Sequence, residues 1–188
     1  FLLDALEEEQ DQGITIDVSQ VLFKTKKRTY RVIDAPGHKE FLKNMISGAS
    51  SADAALLLID AKEGLREQSK RHATILSLLG IKTIIVIVNK MDLVGYSQQT
   101  FDQLVSDYTN YLKTLKVTPK AFIPISAYIG DNVVMRTSQM PWYSGPTLIE
   151  ILDSVDSHKD AATRALRFPK QDVYRFDSEK RYFAGRIE

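Results

Sequence analysis

Asp34-Ala35-Pro36-Gly37-His38 carries the densest chemistry in this chain of 188 residues. An acid that ends an apolar run (Tyr30, Val32, Ile33) and is followed by Pro-Gly and a helix-patterned segment (Phe41, Leu42, Met45, Ile46) makes a phosphate-facing corner of an α/β fold. The carboxylate can hold a metal ion through water, and Gly37 lets its own N–H approach a phosphate oxygen with no side chain in the way. His38 follows at once, beside whatever attacks that phosphate. Asn89-Lys90-Met91-Asp92 closes a second apolar run. Guanine presents an exocyclic amine and a ring N–H side by side, and one carboxylate, Asp92, can accept both. Asn89 can bond the base edge and tie neighbouring loops, the Lys90 stem can lie over the ring, and Ser126-Ala127 can offer a backbone N–H to the guanine carbonyl. Upstream, the Thr15 hydroxyl can ligate Mg²⁺ while its N–H bonds the terminal phosphate.

Each feature has a plainer reading when it stands alone. Asn-Lys-x-Asp is then a polar strand-to-loop turn, Thr15 a β-prone residue, and His38 a helix N-terminal residue. In combination, at strand ends, they point to a guanine-nucleotide GTPase in which His38 orients the attacking water. His72, on a helix packed on one side, and His158, in a linker, read as structural or solvated. Trp142 and Tyr143 read as loop-packing residues.

The elements that must position these residues follow from periodicity. Leu3 to Gln12 reads as a helix with an acidic wet face (Glu7-Glu8-Glu9), broken by Gly13. Val18 to Thr25 and Arg28 to Asp34 read as an antiparallel hairpin across the Lys26-Lys27 turn. Phe41 to Ser50 is helical. Ala54 to Asp60 is a continuous apolar run, expected of a central parallel strand buried on both faces, and Thr83 to Asn89 is another. Between them a helix runs from Glu67 to Leu79 and stops at Gly80. Gln98 to Leu115 is an amphipathic helix with Phe101, Leu104, Val105, Tyr108 and Leu112 on one face. Ala121 to Ser126 is a short strand, and a long loop leads to a helix over Thr147 to Val155, with Thr147 as N-cap and Glu150 three residues on. Strands alternating with helices predict a doubly wound α/β sheet of the P-loop GTPase type, which binds ligands beyond the carboxyl ends of its strands. Residues 1–155 form this unit. Residues 156–165 read as a linker, and 166–188 alternate like the opening strands of an all-β barrel domain.

Composition bounds the rest. Hydrophobic content of 44%, charged content of 26% and a net charge of +1 are ordinary for a globular protein and give no global attraction for nucleic acid or an anionic membrane. The absence of cysteine excludes disulfides, thiolate metal sites and cysteine nucleophiles. The longest apolar block, Ile81 to Val88, is too short to span a bilayer. With no signal-peptide pattern, the expected location is cytoplasmic. The chain opens with Phe1, and so reads as part of a longer gene product.

Gly13-Ile14-Thr15-Ile16, Asp34-Ala35-Pro36-Gly37-His38, Asn89-Lys90-Met91-Asp92 and Ser126-Ala127 together resemble the translational GTPase superfamily, which includes elongation factor Tu and elongation factor 1-alpha. Within it, Leu6 to Glu9, Met91 to Ser97, Gly130 to Val133 and Met140 to Leu148 look most like the GTPase subunit of bacterial sulfate adenylyltransferase, also found fused to adenylylsulfate kinase. Elongation factor 1-alpha shares the Gly-Asp-Asn and Met-Pro-Trp segments. The resemblance implies the cofactors GTP and Mg²⁺, with Thr15 and Asp34 (through water) on the metal, and Gly37 sensing the γ-phosphate. It implies that His38 positions water, and that Asn89, Lys90 and Asp92 read guanine with help from Ser126 and Ala127. It also implies a small catalytic adenylyltransferase subunit as partner, which makes adenosine 5′-phosphosulfate from ATP and sulfate while GTP hydrolysis here drives it.

One departure stands out. The family's Gly-x-x-x-x-Gly-Lys-[Ser/Thr] phosphate loop is not found among the 188 residues; in the family it lies upstream of the position matched by Phe1. A polypeptide starting at Phe1 is expected to bind GTP weakly, since the β-phosphate would lose its backbone cradle and lysine. Gln12 stands where elongation factors commonly carry Arg, which favours the sulfate branch. A tRNA-delivering elongation factor and a nucleotide-independent interaction module remain as alternatives.

Overall fold

The computed structural model describes residues 15–156, 166–176 and 180–185. The chain divides into two compact units, residues 1–155 and 156–188. The helix expected over Leu3 to Gln12, its break at Gly13, and His158 lie outside the described residues.

The first unit opens with an antiparallel hairpin, β1 (Ser19–Lys24) and β2 (Thr29–Asp34), in which Ser19 is opposite Asp34. A 3-10 turn (Lys39–Phe41) leads into α1 (Leu42–Ala49). There follow β3 (Ala54–Asp60), α2 (Glu67–Leu78), β4 (Thr83–Asn89), α3 (Gln98–Thr114), β5 (Ala121–Pro124) and α4 (Leu148–Asp153). Strands β3, β4 and β5 form a parallel sheet in that order, with Asp60 opposite Asn89 and Val88 opposite Pro124. The α/β class is as expected, although among the described residues the hairpin and the parallel strands are separate sheets.

β4 is the centre. Ile84, Val86 and Val88 face α2 and α3, packing with Ala73, Leu76, Phe101, Leu104, Tyr108 and Leu112. Ile85 and Ile87 face the other way, onto Ile123, Ile125, Ile151 and Val155. Burial on both faces, expected of both apolar strands, therefore holds for β4 but only half holds for β3. Leu57 and Ile59 are buried, whereas Leu56 is 38% and Leu58 59% exposed. The six-residue α4 packs on β4 and β5, and the face of β3 that carries Leu56 and Leu58 is not part of its cluster.

The hairpin is tied to the far end of this layer. Thr25 Oγ1 donates to Asp153 Oδ1 at 2.8 Å, and the Tyr30 hydroxyl donates to the same carboxylate. The Arg28 guanidinium donates to the carbonyls of Asp153 and Val155, which the end of α4 leaves without helical partners. Burial first, and the Asp153 carboxylate second, push the Tyr30 phenol up to about 12. No helix among the described residues is long and apolar enough to cross a membrane.

The second unit shows β6 (Lys170–Tyr174) paired antiparallel with β7 (Tyr182–Gly185), with a register irregularity between Lys170 and Asp172.

The start of α4 carries the expected capping box: the Thr147 N–H donates to Glu150 Oε2 at 2.8 Å, and the Glu150 N–H to Thr147 Oγ1 at 3.3 Å. Thr147 is buried. Replacing it by Ala should therefore lower unfolding free energy by about 1 kcal/mol, and Ser should restore most of it. Urea denaturation of the three forms checks this; equal midpoints for Thr and Ala would show that the cap contributes nothing.

Candidate functional site

Three carboxyl ends of strands bring the candidate residues to one side of the unit. Asp34 ends β2, Asn89 ends β4, and Ser126 follows β5; Asp60, which the chemistry read from sequence did not single out, ends β3 beside Asn89. Parallel strands share a direction, so everything past their carboxyl ends faces the same crevice.

At the first corner Asp34 and Ala35 are half-buried and Pro36 is buried. The Gly37 carbonyl accepts a hydrogen bond from His72 Nε2 at 2.9 Å. A carbonyl only accepts, so this geometry places the proton of His72 on Nε2. A Cβ on Gly37 would meet Gln68 Nε2 at 2.5 Å and His72 Cε1 at 3.1 Å. The glycine is needed for close approach to α2 as well as for access to a phosphate. His72, read from sequence as structural, is thus the helix's anchor on this corner. His38 is exposed, in extended backbone (φ −74°, ψ 143°), and its carbonyl accepts from the Phe41 N–H at 3.1 Å, opening the 3-10 turn. The Thr15 segment reaches the same helix: Asn44 on α1 donates through Nδ2 to the Ile16 carbonyl at 3.1 Å. Gly48 of α1 packs on Val18 and Ile33.

The second half of the site is more densely bonded. Asn89 Oδ1 accepts the N–H of Lys90 at 2.8 Å and of Ala127 at 2.9 Å. One side chain therefore joins two turns nearly forty positions apart, the loop-tying role expected of it. The Ala127 N–H, expected to reach a guanine carbonyl, is spent here on Asn89. Lys90 has left-handed backbone (φ 63°), and its ammonium lies 2.7 Å from Asp60 Oδ2. Asp60 Oδ1 also accepts the N–H groups of Lys62 (2.8 Å) and Glu63 (3.1 Å). Burial pushes the Asp60 carboxyl up, but the Lys90 hydrogen bond and these N–H groups together outweigh it and hold the group below the usual carboxylate range. The same hydrogen bond raises Lys90. Both partners stay charged and the Lys90 stem is held at a fixed angle.

Met91 is fully buried, and its N–H donates to the Ile125 carbonyl at 3.1 Å, so it anchors the turn from beneath. That turn (Met91–Val94) carries the half-buried Asp92. Ser126 is fully buried; its N–H donates to the Asp131 carbonyl (3.3 Å), and its own carbonyl accepts from Gly130 (2.7 Å) and Asp131 (3.1 Å). Ala127 is exposed at the tip. Trp142 packs on Phe101 with ring centroids 5.4 Å apart and donates through Nε1 to the Tyr96 carbonyl at 3.1 Å, the loop-packing role expected of it.

A cavity of about 160 Å³ between β3 and α2 lies between the two halves, lined on one side by Asp60 and Glu63 and on the other by Gln68 and His72. Sequence reasoning missed Asp60 and its pairing with Lys90. The signal was present: Asp60 ends an apolar run as Asp34 and Asn89 do, and the strand-end rule applies equally to it.

With this geometry in view, comparison with known proteins is informative. Residues 1–160 match the family described as the elongation factor Tu GTP binding domain. Elongation factor 1-alpha of Pyrococcus horikoshii is 47% identical over all 188 residues, which cover 44% of that protein. Sulfate adenylyltransferase subunit 1 of Photorhabdus laumondii is 46% identical over the same 188 residues, 39% of its length. The chain thus spans less than half of the relatives it matches. Among solved structures, bacterial selenocysteine-specific elongation factor EF-Sec aligns over 98% of this chain and 30% of its own with a TM-score of 0.68 at 22% identity, a likeness of fold. Sup35 complexed with GDP aligns over 89% of this chain and 42% of its own with a TM-score of 0.61 at 27% identity. A family match over most of the chain, on a scaffold that gathers the guanine- and phosphate-type motifs at one set of strand ends, establishes that this chain belongs to the elongation factor Tu GTP-binding domain family of translational GTPases.

Proposed function

We propose that this chain is the GTP-binding and hydrolysing part of the regulatory subunit of a sulfate adenylyltransferase. GTP hydrolysis here would be coupled to formation of adenosine 5′-phosphosulfate from ATP and sulfate on a separate small catalytic subunit. In this reading residues 1–155 are the GTP-binding domain, 156–165 a linker and 166–188 the beginning of a β-barrel domain. The observation that carries the chemistry is the alignment of Asp34, Asn89 and the Ser126 turn at strand ends, with Asn89 joined to Ala127. Adenylyl transfer to sulfate is unfavourable alone, so coupling to a second hydrolysis makes physical sense. A fused adenylylsulfate kinase domain would consume the product.

Each residue has a task in this reading. Asp92 accepts the amine and ring N–H of guanine as a bidentate pair. Asn89 spends Oδ1 on the two turns and turns its Nδ2 donors outward, toward acceptors on the base edge. The Lys90 stem, held by Asp60, covers the ring. Gly37 presents its N–H to the γ-phosphate, with its carbonyl held by His72. His38, exposed beside it, orients the attacking water. One carboxylate at a strand end with one hydroxyl, Asp34 and Thr15, is a donor set that suits Mg²⁺, which keeps several waters and takes other ligands from phosphates. When bound, the ion would neutralise charge building up on the phosphates.

The runner-up is an elongation factor that delivers aminoacyl-tRNA, favoured by the 47% identity of the Pyrococcus horikoshii protein over the whole chain. The two are separated with the full-length gene product, following GTP hydrolysis with and without ATP, sulfate and the small adenylyltransferase subunit. Stimulation that requires all three supports the sulfate reading; stimulation by ribosomes with aminoacyl-tRNA replaces it.

Asp92→Asn swaps an acceptor pair for an acceptor and a donor. Xanthine carries a carbonyl where guanine carries its amine, so the variant should prefer xanthosine to guanosine nucleotides, read by competition binding; an unchanged preference would remove Asp92 from the base site. His38→Ala should lower GTP turnover by about 10²-fold while changing GDP affinity little. Equal turnover in single-turnover hydrolysis would deny His38 its role.

A further inference from the structure

Tyr96 lies beyond the Met91–Val94 turn and is held from three directions. Its N–H donates to the Met91 carbonyl at 2.9 Å, its carbonyl accepts Trp142 Nε1 at 3.1 Å, and its hydroxyl donates to Asp131 Oδ2 at 2.8 Å. The backbone sits at φ 56°, a left-handed conformation that a tyrosine rarely adopts and that only its surroundings can maintain. Asp131 is itself the residue that pairs in both directions with Ser126.

These bonds close a ring. Asn89 Oδ1 holds Ala127; Ser126 pairs with Asp131; Asp131 holds the Tyr96 hydroxyl; Tyr96 returns to Met91; and the chain runs back through Lys90 to Asn89. Asp92 rides on the arc between Met91 and Tyr96, and its charge, with that of Asp131, reaches the Tyr96 phenol. The Asp131 hydrogen bond is the chief cause that pushes that phenol up to about 12, so it remains a donor across the physiological range. On one side the ring is closed by Asn89, whose place in base recognition is already proposed. On the other it is closed only by the Tyr96–Asp131 bond, some thirty-five positions apart in sequence.

We propose that Tyr96 is a specificity-positioning residue: its hydroxyl bond to Asp131 sets the distance between the turn that carries Asp92 and the turn that carries Ala127, and so the width of the slot in which guanine is read from both edges. The inference rests on the assignment of Asp92 and the Ser126-Ala127 turn as base readers. Tyr96 need not touch the nucleotide. A bidentate contact from Asp92 depends on angle and distance at two atoms at once, whereas a base without the exocyclic amine makes only one such bond and tolerates a looser slot. Loss of the tie should therefore weaken guanosine nucleotides more than inosine nucleotides.

The test measures GDP and IDP dissociation constants for the full-length protein by calorimetry, with thermal midpoints recorded alongside. Tyr96→Phe removes one hydroxyl and should lower the GDP-over-IDP preference by about fivefold, the scale of one neutral hydrogen bond. Asp131→Ala should do the same, the double variant should be no worse than either single one, and Asp131→Asn, which keeps an acceptor, should recover most of the preference. A merely structural role predicts something else: lower thermal midpoints with both nucleotides weakened equally. An unchanged ratio in Tyr96→Phe and Asp131→Ala overturns the proposal. If Asp92→Asn still shifts preference to xanthosine in that case, the base-site reading survives and only the tie is lost. A parent protein that does not prefer GDP to IDP overturns both.

Discussion

Parallel pairing of β4 with β3 on one side and β5 on the other is the constraint on which the rest of the site depends. It is set by burial. Ile84 to Val88 are packed on both faces, so a slip of one residue would exchange two sets of apolar side chains between two filled layers. With that register held, Asp60 falls beside Asn89, and the turn after β5 starts at the same level. The polar contacts at the crevice are consequences. Asn89 can reach both Lys90 and Ala127, and Lys90 can reach Asp60, because the strands deliver their ends to one place.

Much of this was legible in the chain itself, and the reason is local. Thr83–Asn89 is apolar throughout and then abruptly polar, which marks both a buried strand and its end. Thr147 and Glu150 are three apart and close a capping box. Phe101, Leu104, Tyr108 and Leu112 recur at helical spacing and are buried. What was not legible depends on order in space. Leu56 and Leu58 have the composition of core residues, yet β3 lacks on their face the cover that β4 has, and only the sheet order reveals which strand is central. Tyr96 and Asp131 are unremarkable side chains until two distant turns are folded against each other. His72 was read as a packing residue; that it aims Nε2 at Gly37 depends on the angle at which α2 crosses the corner.

The two halves of the crevice are built differently, and the difference follows from what each must do. The base side is a closed ring of hydrogen bonds with a salt bridge at its rim, anchored below by the buried Met91 and Ser126. Reading a donor pair on a flat base demands fixed acceptors, because a bidentate contact loses strength steeply with angle. The phosphate side has fewer ties. Gly37 is held by one carbonyl hydrogen bond, His38 is exposed, and the segment around Thr15 and Ile16 is bonded to α1 through Asn44. Segments with few buried bonds are the ones that rearrange at low cost. A nucleotide whose base is identical before and after hydrolysis, while its terminal phosphate is present only before, suits that division. The rigid half keeps hold of the ligand, and the lightly tied half, from Thr15 to His38, is where loss of a phosphate can be felt.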